Sequence, residues 1–416
     1  MLSDERGDTM TSKVIGAVRR DETSLHLGGD GDNWLMTWAA DDTQLTGLCD
    51  GGFLPGTPDD RLYNSHLYRI VGYPRNLHFE DVPGYPDVLI DLLTPPDKEN
   101  PIARYYGFAI IAVDGVIYQF MSTFGPAVLA SGETVHAFVG VKVISSPDNG
   151  VTWHNQDGST PVTFPTLAEQ SRDNLLFFHE PKETFTLLTA LQMGRDYSAN
   201  TDGYVYLYSP NGVDIDTTAE LAMLRVPKDR ILDRSAYEYF VSRNADGTAT
   251  WSSDIEQRGA SHVFPDGWVN KFAHPYSWHP SIAYNEPLEL YMMTNWGMAT
   301  DAEGHWFAGP TYLGIWTSPT PWGPWTQIHE EKSWTPHGRE SARCYQPQIS
   351  PKWIAPDGKS FWMVWTDFSS PGVDDFGEAM GEITRTSSSM QEWVRRAMPL
   401  RPGYSFNVQQ VDLITE

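Results

Sequence analysis

The sequence predicts an all-β chain folded as a five-bladed β-propeller. Three observations point there. A pattern of apolar strand, polar turn and apolar strand recurs five times, with turns near residues 41, 114, 202, 286 and 357. The segment Ser146–Trp153, SPDNGVTW, has the S-x-D-x-G-x-x-W spacing of an Asp-box. Helix-favouring stretches are scarce, VPKDRILDRSAYEYF being the strongest. A pair of β-sandwiches is the structural alternative.

The first hairpin is WLMTWAADDTQLTGLC, turning at Asp41. The second, GFAIIAVDGVIYQFMST, turns on Asp114-Gly115, a dipeptide that tolerates the positive φ of a two-residue turn. The third, TALQMGRDYSANTDGYVYLYS, is expected to turn at Asp202-Gly203. PSIAYNEPLELYMMTN is the fourth, and PQISPKWIAPDGKSFWMVWTD the fifth, with Asp357-Gly358. The intervals leave room for a second strand pair in each unit, and VGVKVISSPDNGVTWHN and LGIWTSPTPWGPWTQI supply two. Within the Asp-box the Ser and Asp side chains tie up turn backbone, Gly permits a left-handed residue and Trp packs beneath. That motif argues for the fold and not for chemistry. Residues 1–23 read as an N-terminal extension and residues 24–416 as one propeller domain.

The net charge is −25, which repels a polyanion over most of the surface and excludes nucleic acid as a partner. A neutral or cationic ligand is easier to bind, and the 16 Trp suit a carbohydrate. The two cysteines, Cys49 and Cys344, exclude a disulfide scaffold and show no zinc spacing. The hairpin map puts both on one face, near the seam where the ring closes. No run approaches transmembrane length and the N-terminus lacks the apolar core of a signal peptide. A cytoplasmic chain is therefore expected, or a secreted one if a leader has been removed. Nothing in the sequence sets the oligomeric state.

In a propeller blade the innermost strand starts, and the second strand ends, on the face opposite the hairpin turn. With the first turn at Asp41, cross-strand partners sum to 82 and Asp32 faces Asp50. Two like charges at that spacing destabilise each other and raise a pKa, which acid–base chemistry uses. Asp32 is thus the leading base or nucleophile, and Asp50 a pKa modulator or the partner acid. Glu340 and Asp196 are reserve acids. The same map places Trp34, Arg104, Tyr105, Asp196, His279, Asn295, Trp296, Arg343 and Gln346 around the mouth as substrate-binding residues, with Trp278 and Tyr345 beside them. Flat rings stack on sugar C–H faces and amides bridge hydroxyls. The turn ends are plain by contrast. Aspartates capping turns and tryptophans wedged between blades are the structural readings of the same residues.

The stretches GGDGDNWLMTWAADDTQLTGLCDGGF, DGYVYLYSPNG, AMLRVPKDRILDRSAYEYF, PSIAYNEPLELYMMTN and PTPWGPWTQIHEEKSW resemble a bacterial propeller family first catalogued as a domain of unknown function. Its characterised relatives are endo-D-arabinanases acting on mycobacterial cell-wall arabinan. The resemblance runs from about Ser24 to Asp367. It implies a five-bladed glycoside hydrolase with acidic catalytic residues on the channel rim, the family's two acidic positions matching Asp32 and Asp50. Cys49 stands where relatives usually have Gly, and Gly31-Asp32-Asn33-Trp34 replaces a Thr-Asp-Leu-Gly-like first strand, which places the chain on a separate branch.

No G-x-S-x-G, H-E-x-x-H or P-loop is present, and GGDGDN reads as a turn because no helix follows. No cofactor is required, although Asp32, Asp50 and carbonyl oxygens could hold calcium in the channel. The enzymatic rival is a polysaccharide lyase using His66, His179, His279, Tyr105 or Arg343 on a uronate. A catalytically silent glycan-binding propeller is the third reading.

Overall fold

The computed structural model describes residues 13–28, 31–52, 61–90, 104–129, 131–214, 219–265, 277–299, 307–368, 373–400 and 403–416. Five antiparallel sheets, each built outward from a buried inner strand, form the blades of a propeller. The first blade is Met36–Trp38, Gln44–Leu48, Tyr63–Val71 and His78–Asp81, with Val88–Leu89 alongside. The second is Arg104–Val113, Val116–Val128, Thr134–Ser146 and His154–Asn155. The fourth is Ser281–Asn285, Leu290–Gly297, Tyr312–Ser318 and Thr326–Glu331.

The fifth blade closes the ring. Its strands Cys344–Ile354, Ser360–Asp367 and Asn407–Thr415 are completed on the outside by Val14–His26, which pairs antiparallel with Asn407–Thr415. The boundary expected at residue 23 therefore moves: the described part of the supposed extension is the outer strand of a blade. Val14 and Ala17 are buried on either side of a register shift, and the other residues are half-buried or exposed, as on a half-covered edge.

Inner strands carry near-continuous apolar runs because blades cover both of their faces; every residue from Tyr105 to Val113 is buried. The first hairpin has the expected register, with Met36 opposite Thr46, Thr37 opposite Leu45 and Trp38 opposite Gln44. Asp114 and Gly115 make a two-residue turn at φ 49° and 83°. From Ser146 to Trp153 the turn is tied as its sequence requires. The Ser146 hydroxyl accepts from Gly150 N at 2.8 Å, Asp148 Oδ1 accepts from Thr152 N at 2.8 Å, and the Trp153 ring is buried edge-on to Tyr85.

Two expectations fail. In the third blade Thr189 pairs with Tyr208 and Ala190 with Leu207, so the inner strand is only two residues long. Asp202-Gly203 ends a long loop at the turn face rather than forming a tight hairpin. VPKDRILDRSAYEYF forms no α-helix. Asp233 Oδ1 accepts from Ser235 N, which shapes a single 3-10 turn, and the chain enters the strand Glu238–Arg243. The α-helices among the described residues, Val373–Thr386 and Met390–Ala397, lie instead between the second and third strands of the fifth blade. There Trp393, Val394 and Ile383 pack on Leu62 of the first blade. No helix among the described residues is long and apolar enough to cross a membrane.

Candidate active site

Where the first hairpin opens, its regular register breaks. Asp32 bridges Cys49, not Asp50, one residue off the expected pairing. The cause is local. Asn33 adopts φ 59° and its carbonyl accepts from Leu35 N at 2.7 Å, which spends an extra residue on that strand. Asp50 is itself left-handed, at φ 48°. Asn and Asp tolerate this conformation better than other residues with a side chain, and such strain concentrates at functional sites. Gly31 has no room for a side chain, since a Cβ there would lie 2.1 Å from Leu48 Cδ1. The aspartates thus end up adjacent at one end of the innermost hairpin.

Asp32 is buried and richly hydrogen bonded. Its Oδ1 accepts from Asn33 Nδ2 at 2.5 Å, and its Oδ2 from the Tyr345 hydroxyl at 2.8 Å. The Tyr404 hydroxyl lies 3.0 Å from the same Oδ2 and 3.1 Å from the Asp50 carbonyl oxygen. Burial first, and then the charge of Asp50, push the Asp32 carboxyl up to about 7, against the pull of Tyr345, Tyr404 and Asn33. Asp32 and Asp50 open into a cavity of about 510 Å³. Arg104, Tyr106, Phe108, Phe124, His136 and Phe138 form its second-blade wall. Trp278, Trp296, Met298 and Phe307, with Tyr345, Phe368 and Tyr404, form the wall from the fourth and fifth blades. Asp214 reaches the same cavity from the third blade. Burial holds its carboxyl up at about 7, against hydrogen bonds from Phe138 N at 3.1 Å and from its own backbone.

The cavity collects Asp32, Asp50, Arg104 and Trp296 from the residues assigned by sequence, with Trp278 and Tyr345 that the same map placed beside them, and not the others. Strand alternation explains one of them. Arg104, Tyr106 and Phe108 share the cavity face of their strand, so Tyr105 points away and donates to Pro165 O. Trp34 would share the Asp32 face by alternation, but the extra residue at Asn33 turns it into the core, edge-on to Phe406. Glu340 is exposed outside the cavity lining, and its carbonyl accepts from Arg343. Asp196 sits at the opposite face, where both carboxylate oxygens take Gly115 N at 2.9 Å. The short inner strand of the third blade puts its loop at the turn end.

The remaining residues lie behind the cavity wall. His279 is a core residue whose ring lies 4.3 Å from that of Phe108. Asn295 is buried, accepting from Trp316 Nε1 at 2.8 Å. Arg343 donates to Phe307 O at 2.6 Å and so braces the wall from behind. Gln346 is buried, at φ 51°, outside the lining. Of the lyase candidates, His66 is held by Asp87 at 2.8 Å, and neither it, His179, His279, Tyr105 nor Arg343 lines the cavity.

Sequence reasoning missed Asp214, His136, Phe138, Phe307, Phe368 and Tyr404. Alternation could have found Tyr106 and Phe108. Asp214 and Tyr404 stand in irregular segments with no hairpin signal. Both cysteines are buried free thiols, in different apolar clusters. Among the described residues no group of three or more His, Cys, Asp or Glu could hold a metal ion. The Asp32 carboxylate already accepts from three donors, Asn33, Tyr345 and Tyr404.

No curated protein matches the chain. Among solved structures it is similar to a xylan β-1,4-xylosidase from Bacillus halodurans, with 9% identity over 83% of this chain and 50% of that one and a TM-score of 0.42. It is also similar to an α-L-arabinofuranosidase from Podospora anserina in complex with cellotriose, with 9% identity, 97% and 96% coverage and a TM-score of 0.39. A third likeness is to an ulvan lyase, with 10% identity, 80% and 61% coverage and a TM-score of 0.36. These are distant likenesses. The family model is the informative match: residues 108–370, well over half of the chain, fit the domain of unknown function DUF4185, and the chain belongs to that family.

Proposed function

We propose that the protein is a glycoside hydrolase that cleaves a poly- or oligosaccharide in the aromatic cavity at the propeller mouth. One observation carries this reading: a buried aspartate held near neutrality, Asp32, stands beside a second aspartate, Asp50, on the wall of that cavity. Glycoside cleavage uses carboxyl groups of unequal proton affinity around one bond. The cavity supplies the rest of what a sugar needs. Phe, Trp and Tyr rings offer stacking faces, while Arg104, His136 and Asn33 offer polar contacts at its edge. The three donors aimed at Asp32 fix its orientation and favour its ionised form, as a base or nucleophile requires. Family resemblance adds support, and a pentose-containing glycan is the first substrate to try.

The test is release of reducing ends from a panel of neutral and uronate-containing glycans by the wild type and by Asp32→Asn. Loss of an essential base costs on the order of 10²–10⁴-fold in rate. A folded Asp32→Asn variant with wild-type turnover removes Asp32 from the mechanism.

A second reading has one observation in its favour. His136, Arg104 and Tyr106 line the same cavity, which is the base, cation and acid set of a uronate lyase. A lyase would release an ultraviolet-absorbing unsaturated product from the uronate members of the panel and would survive Asp32→Asn.

A further inference from the structure

Hydrolysis of a glycoside needs an acid as well as a base, and Asp32 is poorly placed to be the acid. Its two oxygens accept from Asn33, Tyr345 and Tyr404. A proton on Asp32 would have to compete with those donors. Asp50 comes from the same hairpin end and is linked to Asp32 through the Tyr404 hydroxyl, so it shares the base's side of the cavity. Glu340 and Asp196 do not reach the cavity.

Asp214 differs from all of these. It follows the strand Tyr204–Pro210 of the third blade and is anchored on the second, where its Oδ1 accepts from Phe138 N at 3.1 Å. It therefore enters the cavity from blades other than the one that carries Asp32. Its residue is only 2% exposed, among apolar neighbours that include Phe138 and Val213. Among the described residues, the hydrogen bonds that its carboxyl receives come from backbone. The charged and titratable groups that share its cavity are Asp32, Asp50, Arg104, His136 and the phenols of Tyr106, Tyr345 and Tyr404.

We propose that Asp214 is the proton donor of this site, a role that rests on the hydrolase reading above and supplies the acid which that reading lacks. The Asp214 O–H gives its proton to the glycosidic oxygen as the bond from that oxygen to the anomeric carbon breaks and its electron pair stays on the oxygen. Water forms the new bond to the anomeric carbon and loses its proton to Asp32. The products are two hydroxyl-bearing sugars, and the proton gained by Asp32 and lost by Asp214 re-equilibrates through solvent. Asp50 then acts on Asp32 by its charge alone. Burial raises both carboxyls to about 7, so the division rests on their partners: side-chain donors hold Asp32 ready as the charged base, while the hydrogen bonds to Asp214 come from backbone.

The experiment compares wild type with Asp214→Asn, which keeps an acceptor for Phe138 N. Two substrates are used: the glycan that the panel identifies, and a dinitrophenyl glycoside of the same sugar, whose leaving group departs without protonation. The expected result is a fall in kcat/KM of roughly 10²–10⁴-fold on the glycan and of less than about tenfold on the aryl glycoside, with loss of the basic limb of the pH–rate profile. Equal losses on both substrates, or undiminished glycan cleavage, overturn the assignment and leave the hydrolase reading standing. A wild type inert on every neutral and uronate glycan overturns the hydrolase reading and this role with it. Should the Asn variant not fold, Asp214→Glu reads the same contrast between leaving groups, since a displaced acid still penalises only the poor one.

Discussion

The Tyr345 hydroxyl, on the inner strand of the fifth blade, donates to Asp32 Oδ2 of the first blade at 2.8 Å. This contact crosses the seam where the propeller closes. The carboxylate proposed for chemistry is therefore oriented by the last blade in the sequence, and the site exists only once the ring is complete.

Tyr345→Phe removes one donor and keeps the buried ring. Burial and Asp50 push the Asp32 carboxyl up while Tyr345 pulls it down, so losing the phenol raises the carboxyl further above about 7. Activity that needs ionised Asp32 then falls off at higher pH than in wild type. A hydrogen bond worth about 1 kcal/mol moves the acidic limb by roughly one pH unit. A pH–rate profile of kcat/KM checks this, and an unmoved limb would mean that Tyr345 does not orient the reacting carboxylate.

Asp32 should also cost the fold stability at neutral pH. The folded chain keeps a proton on this carboxyl up to about 7, whereas an unfolded aspartate loses it near the ordinary value of 3.8. Between those values the folded state binds more protons, so its stability falls as pH rises. Asp32→Asn removes that dependence. The variant should gain on wild type as pH climbs from 4 to 8, by up to about 4 kcal/mol, part of which belongs to Asp50. Urea denaturation at the two pH values measures the gap, and a gap that narrows with rising pH would refute the prediction.

Much of the fold was legible because a hairpin is a local object. Asp114-Gly115 states its turn, and the runs next to Asp41 state the register of Met36, Thr37 and Trp38 against Thr46, Leu45 and Gln44, though not of Asp32. The site was half legible for the same reason. Asp32 and Asp50 lie at a hairpin end that can be counted from its turn. Tyr105 was misassigned because distance from the turn gives height along a strand and not the face, which alternates residue by residue, and Trp34 because the extra residue at Asn33 breaks that alternation. Asp214 and Tyr404 were invisible, being brought in by irregular segments whose path depends on packing between blades. Asp196 failed because the inner strand of the third blade stops after two residues, a tertiary outcome that no local pattern records.

Trp153→Ala should weaken the fold without touching the site. The ring is 4% exposed, donates to Gly150 O at 3.2 Å and packs edge-on against Tyr85. Emptying such a pocket costs about 3–5 kcal/mol. Denaturant titration should show that loss, with kcat/KM per folded molecule unchanged. A change in KM without a loss of stability would contradict a structural role.

The final prediction concerns the junction of the last two blades. Arg19, on the outer strand contributed by the N-terminal segment, donates from Nε and Nη2 to Glu331 at 2.7 and 3.0 Å. Glu331 ends the outer strand of the fourth blade. Burial pushes the Glu331 carboxyl up, yet hydrogen bonds from His329 and Arg19 and the charge of Arg19 win and hold it down at about 2. An unfolded glutamate titrates near 4.5, so this interaction contributes stability at neutral pH that is lost as pH falls from about 5 towards 2. The depression corresponds to about 3 kcal/mol. Glu331→Gln should lose up to about that much at pH 7, since the buried Arg19 guanidinium then keeps Asp21 as its carboxylate partner and has a neutral amide in place of Glu331. At pH 2 wild type and variant should converge, because the wild-type carboxyl is then losing its charge as well. Equal deficits at the two pH values would show that Gln disturbs packing rather than charge. No deficit at pH 7 would show that the pair contributes nothing to joining the blades.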